Sequence, residues 1–539
     1  MPAETYIWWK HGVFYQIYPR SFQDSNQDGI GDLKGIIERL DYLVELGIDA
    51  IWVSPIFPSP MADFGYDISD FTDIHPLFGD LQVFKRLLEQ AHQRGLRVVL
   101  DYVANHSSDE HAWFLESRSS RDNPKRDWYI WRDPKPDGSP PNNWESHFSG
   151  GAWEWDENTG QYYLHLFLEK QPDLNWRNPQ VVEAMHAALR FWLELGVDGF
   201  RMDVVTFLMK HPELPDNPTA YDDQGRPFQE HRYDINQPEV HHVLRDFRKL
   251  FDSYPGERVT IGETWFFDPA ELAAWYGPAL DELQIPFNFI TLKRPWQAAT
   301  MKQAIEAYYA ALPPGAQPNF VFGSHDVRRL ASRYGLANHR SVGMLLLTLR
   351  GTPTLYYGDE LGMQDVSIPP ERFQDPVMWR KPGTDEGRDP ERTPMQWDSS
   401  SNAGFCPGDV EPWLPLAVDY PTINVAVERA DPHSTFNFYK RLLHLRRTLP
   451  ALTLGDFQFI PVVDNHLASI QDVLAYRRSW QDQRLLVVIN FSANSQLIDL
   501  SGVGLGGVTL LSSHFRSVEQ FDLARVLVQP HENLLVQLF

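Results

Sequence analysis

Gly199-Phe-Arg-Met-Asp-Val-Val205 is the stretch from which the fold of this chain can be read. Its apolar residues Phe200, Met202 and Val204 alternate with Arg201 and Asp203, so it reads as a short buried strand carrying two charges that a dry core does not tolerate unpaired. Either the two pair with each other inside a strand or both point into a cleft. Two more apolar runs favour the cleft, because Val259-Thr-Ile-Gly-Glu263 and Phe320-Val-Phe-Gly-Ser-His-Asp326 each end on an acid as well. Three carboxylates, Asp203, Glu263 and Asp326, thus stand at the C-terminal ends of three expected strands.

Outward from this centre the chain alternates. Strands are expected over 12–18, 50–54, 97–103, 200–205, 260–264, 283–289, 320–323 and 353–357, with helices over 33–46, 81–94, 179–196, 240–254 and 341–349. Buried parallel strands rich in Val, Ile and Leu fit that rhythm. Eight such units are the number that closes a (β/α)8 barrel of the TIM type, an α/β fold that keeps its chemistry at the strand C-termini. The rhythm breaks between 105 and 174, a stretch dense in Trp, Pro, Asn, Gly and Asp that reads as an inserted loop-rich subdomain after the third strand. The expected organisation is therefore a barrel over 1–104 and 175–455, the insertion over 105–174, and an antiparallel β domain over 456–539.

Composition narrows the partners. The 539 residues carry 48 Lys and Arg against 72 Asp and Glu, a net charge of −24 that repels phosphate backbones and anionic membranes, so neither nucleic acid nor membrane is expected as a partner. One cysteine, Cys406, excludes an intrachain disulfide and thiolate zinc clusters. The N-terminus has neither a basic start nor an apolar run, and no stretch approaches the roughly 20 apolar residues of a membrane span, so a cytoplasmic protein, monomeric or a small homo-oligomer, is expected. The 18 Trp, 21 Tyr and 32 Phe include flat rings that could stack on sugar faces, although a large core accounts for most of them.

Two carboxyls about 5 Å apart across a glycosidic bond are what retaining glycoside hydrolysis needs, one to attack the anomeric carbon and one to protonate the leaving oxygen. Asp203 and Glu263, on neighbouring strands, fit these roles, and Asp326 can stabilise positive charge on the sugar while its own charge disfavours ionisation of Glu263.

The ordered set Asp101-Tyr-Val-Ala-Asn-His106, Gly199-Phe-Arg-Met-Asp203, Gly262-Glu263 and Ser324-His-Asp326 resembles the α-amylase superfamily of glycoside hydrolases. Gln171-Pro-Asp-Leu-Asn175 and Arg392-Thr-Pro-Met-Gln-Trp397 bring it closer to the α-glucosidase and oligo-1,6-glucosidase branch, a likeness extending from about Trp8 to the C-terminus. The resemblance implies Asp203 as nucleophile, Glu263 as acid/base and Asp326 as transition-state stabiliser. It implies that Asp63, Tyr66, His106, Arg201 and His325 hold the non-reducing glucose, with Arg392 pairing with Asp63 to close the pocket behind it and enforce exo-action. Tyr66 is the aromatic expected as a sugar platform, whereas Asp101 reads as a structural strand-end carboxylate. In the resembling enzymes Val after the nucleophile goes with α-1,6 links and Thr with maltose, so Val204 leans towards isomaltose-type substrates, a preference one methyl-for-hydroxyl change does not fix.

The loop Asp24-Ser-Asn-Gln-Asp-Gly-Ile-Gly-Asp32 has oxygen side chains at alternate positions and glycine at the sixth, as a calcium loop does. Gly35 stands where the twelfth-position acid belongs, which rules out a complete EF-hand. The resemblance implies a small structural Ca2+ or Mg2+ site with Asp24, Asn26, Asp28, Asp32 and the Ile30 carbonyl as ligands, and no organic cofactor; a solvated acidic turn is the plain alternative. Residues 210–234 carry no readable pattern.

Three functions compete at this stage. The first is a retaining exo-α-glucosidase for short oligosaccharides. The second is an α-glucosyl transferase or a sucrose- or trehalose-type isomerase on the same double-displacement site; the charged loop expected of sucrose isomerases is not evident around Thr291-Leu-Lys-Arg-Pro-Trp296. The third is a non-catalytic sugar-binding or transporter-associated subunit, which the intact acids oppose.

Overall fold

The computed structural model describes residues 6–384, 386–464 and 470–539. Its centre is an eight-stranded parallel sheet: β1 (Phe14–Ile17), β2 (Ala50–Val53), β3 (Arg97–Val103), β4 (Gly199–Asp203), β5 (Val259–Gly262), β6 (Ile285–Pro286), β7 (Asn319–Val321) and β8 (Thr352–Tyr356). Their order is β6-β5-β4-β3-β2-β1-β8-β7, the order of a barrel cut once, between β6 and β7. β6 is much shorter than the expected 283–289, because Pro286 has no N–H to give a ladder. Side-chain amides lace the cut instead: the Asn288 backbone N–H donates to Asn319 Oδ1 at 2.9 Å, and Asn319 Nδ2 donates to the Pro286 carbonyl at 2.6 Å.

Every residue of β4 is buried. Gly199 starts it because a Cβ there would lie 2.5 Å from the Val259 carbonyl oxygen, so only glycine lets β4 and β5 approach so closely. The parallel register sets Asp101 of β3 opposite Arg201 and Val103 opposite Asp203, and Gly262 of β5 opposite Met202, which brings Glu263 alongside Asp203.

The flanking helices begin and end where local chemistry dictates. Asp80 caps Leu81–Gln93 by accepting from two backbone N–H groups, and Asn178 with Pro179 opens Pro179–Leu195, which Gly196 closes at φ 108°. The helix expected over 33–46 is instead two, Leu33–Glu38 and Leu40–Leu46, broken at Arg39. Thr435–Thr448 is longer than the helix the sequence leads one to expect over 442–448, and Ala298–Ala311 has no counterpart among the expected helices.

Between β3 and β4 the chain builds the helix Ala112–Ser119 and a small antiparallel sheet of Trp131–Arg132, Gln161–Leu164 and Trp153–Asp156. After β4 a second excursion forms the hairpin Thr219–Tyr221 with Pro227–Gln229. It packs on the first: Trp144 Nε1 donates to the Pro215 carbonyl and Asn143 Nδ2 to the Asn217 carbonyl. The stretch that was unreadable as sequence is a second wall above the barrel.

From Asp456 onwards lies an antiparallel sheet of β9 (Asp456–Ile460), β10 (Val473–Trp480), β11 (Gln483–Asn490), β12 (Gly506–Ser512), β13 (Gln520–Asp522) and β14 (Asn533–Leu538), in the order β9-β10-β11-β14-β12-β13. Arg478 of β10 donates to the Thr348 carbonyl at the end of the helix Leu336–Thr348, tying this sheet to the barrel. Among the described residues no helix is long and apolar enough to cross a membrane.

Candidate active site

Arg201 is the hub. Its Nη1 donates to Asp101 Oδ1 and Asp203 Oδ1, both at 2.7 Å, and its Nη2 reaches Glu263 Oε2 at 2.9 Å. Three buried carboxyls therefore surround one buried guanidinium, and both readings of the opening motif hold: Arg201 pairs with Asp203, and the pair lines a cleft. Burial pushes Asp203 well above the usual carboxylate range and Asp101 up to about 6, each against the pull of Arg201. Asp101 and Asp203, two carboxyls on one guanidinium nitrogen, do not both ionise readily.

Glu263 is held at both oxygens. Oε2 accepts from Arg201 and from the Val204 backbone N–H at 2.9 Å, and Oε1 accepts from Trp265 Nε1 at 2.7 Å. Val204 presents that N–H from a left-handed conformation, φ 36° and ψ 46°, which a β-branched residue rarely adopts; the turn ends β4 and aims the amide at the acid.

Asp326 faces them across the cavity. Arg392 Nη2 lies 2.9 Å and Arg388 Nη1 3.4 Å from its Oδ1. Burial would raise it, yet the charges of His325, Arg392 and Arg388 outweigh burial and hold it far below the usual range. His325 is itself kept neutral by burial, so at neutral pH the two arginines carry the effect. The His325 ring lies parallel to Tyr66 at 5.4 Å and bonds its hydroxyl at 2.6 Å, while its other nitrogen meets Gln16 Nε2 at 2.7 Å.

The pairing expected between Arg392 and Asp63 does not form. Asp63 Oδ1 takes Arg388 Nη2 at 2.8 Å, and Arg392 is committed to Asp326 and the His325 carbonyl. Both arginines sit on one short turn, Gly387–Arg392, and sequence alone does not say which faces Asp63. Asp375 anchors Arg388 at 2.7 Å, and Gln171 of the insertion donates to Asp63 Oδ2 and touches His106 Nε2, each at 3.1 Å. Arg388, Asp375, Gln171 and Trp265 were missed as site residues; only Gln171 carried a signal, as the first residue of a quoted motif.

Asp63, Tyr66, His106, Asp203, Val204, Glu263 and Asp326 line one cavity of about 670 Å3, with Phe148, Phe167, Phe207 and Trp265 around it. Arg201, His325 and Arg392 stand directly behind these lining groups.

No residue of the loop 24–32 lines this cavity. Asp24 accepts from the backbone N–H groups of Asn26, Gln27 and Gly29, Asn26 Oδ1 from that of Asp28, Asp28 from that of Ile30, and Asp32 from those of Ser25 and Gly35. Among the described residues no three His, Cys, Asp or Glu side chains gather as a metal cluster, so a cation there would also need Asn26 and the Ile30 carbonyl. The donor set is entirely oxygen, which suits a hard cation.

An eight-stranded α/β barrel with paired carboxyls at its strand C-termini fits the class of glycoside hydrolases. The chain belongs to the α-amylase family: residues 16–455 match the alpha amylase catalytic domain and residues 466–532 the maltogenic amylase C-terminal domain. It is 40% identical to the oligo-1,6-glucosidase of Parageobacillus thermoglucosidasius over 98% of each chain. Among solved structures it matches an alpha-glucosyl transfer enzyme with a TM-score of 0.89 at 40% identity, over 99% of this chain and all of the other. It matches the trehalulose synthase of Pseudomonas mesoacidophila with a TM-score of 0.88 at 37% identity, over the same shares.

Proposed function

We propose that the protein is a retaining, exo-acting α-glucosidase that hydrolyses the terminal non-reducing α-glucosyl residue of short oligosaccharides, leaning towards α-1,6 links. The observation that carries this reading is the Arg201 guanidinium, which grips Asp203 with one nitrogen and Glu263 with the other. Carboxyls bridged in this way stand close, in keeping with the about 5 Å of a double displacement rather than the about 6.5–9.5 Å that leaves room for an attacking water.

Asp203 attacks the anomeric carbon as the glycosidic bond breaks, and Glu263 gives its proton to the departing oxygen. Water then enters, Glu263 takes back a proton, and the ester to Asp203 is cleaved with retention of configuration. Arg201 opposes the effect of burial on Asp203 and so favours the anion that attacks, and Asp326, held ionised by its arginines, stabilises the positive charge that develops on the sugar ring. Tyr66, His106, Asp63 and Arg388 recognise the glucose hydroxyls, with Asp63–Arg388 as the pair that closes the far end and limits the enzyme to chain termini. Val204 touches the leaving-group side.

A second reading, α-glucosyl transfer or isomerisation, is favoured by the likeness to an alpha-glucosyl transfer enzyme and a trehalulose synthase. It shares every step up to the glycosyl-enzyme and differs only in whether water or a sugar hydroxyl accepts the glucosyl group.

Products from maltose, isomaltose, trehalose and sucrose, followed over time with Asp203→Asn as the blank, separate the two. α-Glucose appearing first, with the variant slower by on the order of 10^4-fold or more, is the expected result. New disaccharides with little free glucose would make the enzyme a transferase or isomerase, and silence on all four would remove both readings.

We also assign the loop 24–32 a structural Ca2+ or Mg2+. Asp24 and Asp32 are buried, and among the described residues no ion pair neutralises Asp24, Asp28 or Asp32. A cytoplasmic location accords with the single buried thiol, Cys406.

A further inference from the structure

Glu263 Oε2 points inward to Arg201 and the Val204 amide, so the oxygen left to face a leaving group is Oε1. That oxygen has one partner, Trp265 Nε1, at 2.7 Å. Any leaving sugar close enough to take the acid's proton must therefore lie within contact distance of the Trp265 indole. One face of that ring stacks on Phe289, centroids 4.4 Å apart and planes 29° from parallel. Trp265 is 37% exposed, far more than Trp52 at 1%, and it lines the cavity with Phe267 and Leu292. A large flat ring backed by a second ring and left open is otherwise an unfavourable exposure of apolar surface.

We propose that Trp265 is a positioning and specificity-determining residue: its N–H aims the acid/base oxygen at the scissile bond, and its open face carries the second sugar of the substrate. The inference rests on the α-glucosidase reading. As the C1–O bond breaks, the bonding pair goes to the leaving oxygen, which takes the proton from Glu263 Oε1 while Asp203 forms its bond to C1. The indole N–H then donates to the carboxylate that results, a hydrogen bond stronger to the anion than to the acid. Bond cleavage and the hydrogen bond are thus coupled, and the sugar leaving across the ring face is oriented by the same residue.

Two variants separate the two roles. Trp265→Phe keeps a ring over Phe289 and removes the N–H; Trp265→Leu removes both. With isomaltose, Trp265→Phe is expected to lower kcat about tenfold with KM within about twofold, and to move the alkaline limb of the pH–rate profile to higher pH. Hydrolysis of p-nitrophenyl α-glucoside, whose leaving group needs little protonation, is expected to fall by less than that of isomaltose. Trp265→Leu is expected to raise KM for isomaltose about fivefold in addition. An active native enzyme with Trp265→Phe indistinguishable from it on isomaltose at every pH overturns the positioning role, and an unchanged KM in Trp265→Leu overturns the platform. A native protein inactive on both substrates removes the α-glucosidase reading, and this inference falls with it.

Discussion

Asp375 does not line the cavity, yet it fixes Arg388, which does. Both its oxygens receive Arg388, through Nη2 at 2.7 Å, Nε at 3.0 Å and the backbone N–H at 2.7 Å. Burial would raise this carboxyl, but Arg388 outweighs burial and holds it at about 2. A carboxyl depressed on folding contributes stability that is complete above its unfolded value, about 4, and is lost as pH falls through the folded one. Asp375→Asn is therefore expected to destabilise the protein by about 2 kcal/mol at pH 7, with the difference from the native protein shrinking between pH 4 and pH 2. Denaturation with urea at a series of pH values measures it, and a constant difference across that range would contradict the ionic origin. Freed from Asp375, Arg388 also leaves Asp63 less firmly held, so KM for isomaltose should rise. At this scale the three acids were legible, because each is a charge at the end of an apolar run, and Arg201 because it interrupts one. The choice between Arg388 and Arg392 was not, since both lie on one turn and only packing decides which way each points.

Among the elements, the seam between β6 and β7 is where regular hydrogen bonding stops and two asparagines take over. Asn319 accepts from the Asn288 backbone N–H through Oδ1 and donates to the Pro286 carbonyl through Nδ2, all in buried surroundings. Asn319→Ala leaves a buried N–H and a buried carbonyl unmatched, a loss of about 2–4 kcal/mol that should lower the melting temperature measurably. Asn319→Asp, which keeps the acceptor but not the donor, should restore only part of it; equal stability of all three would mean the seam closes by packing alone. The alternation of runs sufficed to place eight strands, but the shortness of β6 depends on Pro286 lying beside a gap that has no trace in local pattern. The hairpin Thr219–Tyr221 with Pro227–Gln229 was illegible for a related reason: both of its strands are largely exposed, so no apolar period marks them, and their partner is the insertion some 70 residues earlier.

Across the whole molecule, the acidic loop 24–32, which follows β1, is tied to a segment almost 400 residues later. The Asp24 N–H donates to the Phe405 carbonyl, and the Trp413 N–H to that of Gly29. Removing a cation from this loop with a chelator is expected to lower the melting temperature by several degrees, reversed by Ca2+ or Mg2+, while Asp28→Asn should blunt the response. A melting curve indifferent to chelator and metal would leave the loop a hydrogen-bonded turn. The sequence by itself determined the barrel class, the three acids, the insertion and the terminal β domain, because each is written in local periodicity, in chain order, or in charges placed where apolar runs end. Tertiary structure alone decided that Arg388 meets Asp63, that Gln171 reaches from the insertion to the cavity, that the 210–239 excursion forms a wall, and that Trp265 bonds Oε1 of Glu263. These depend on which surfaces meet across long stretches of chain, and contacts of that kind leave no period in the residues that make them.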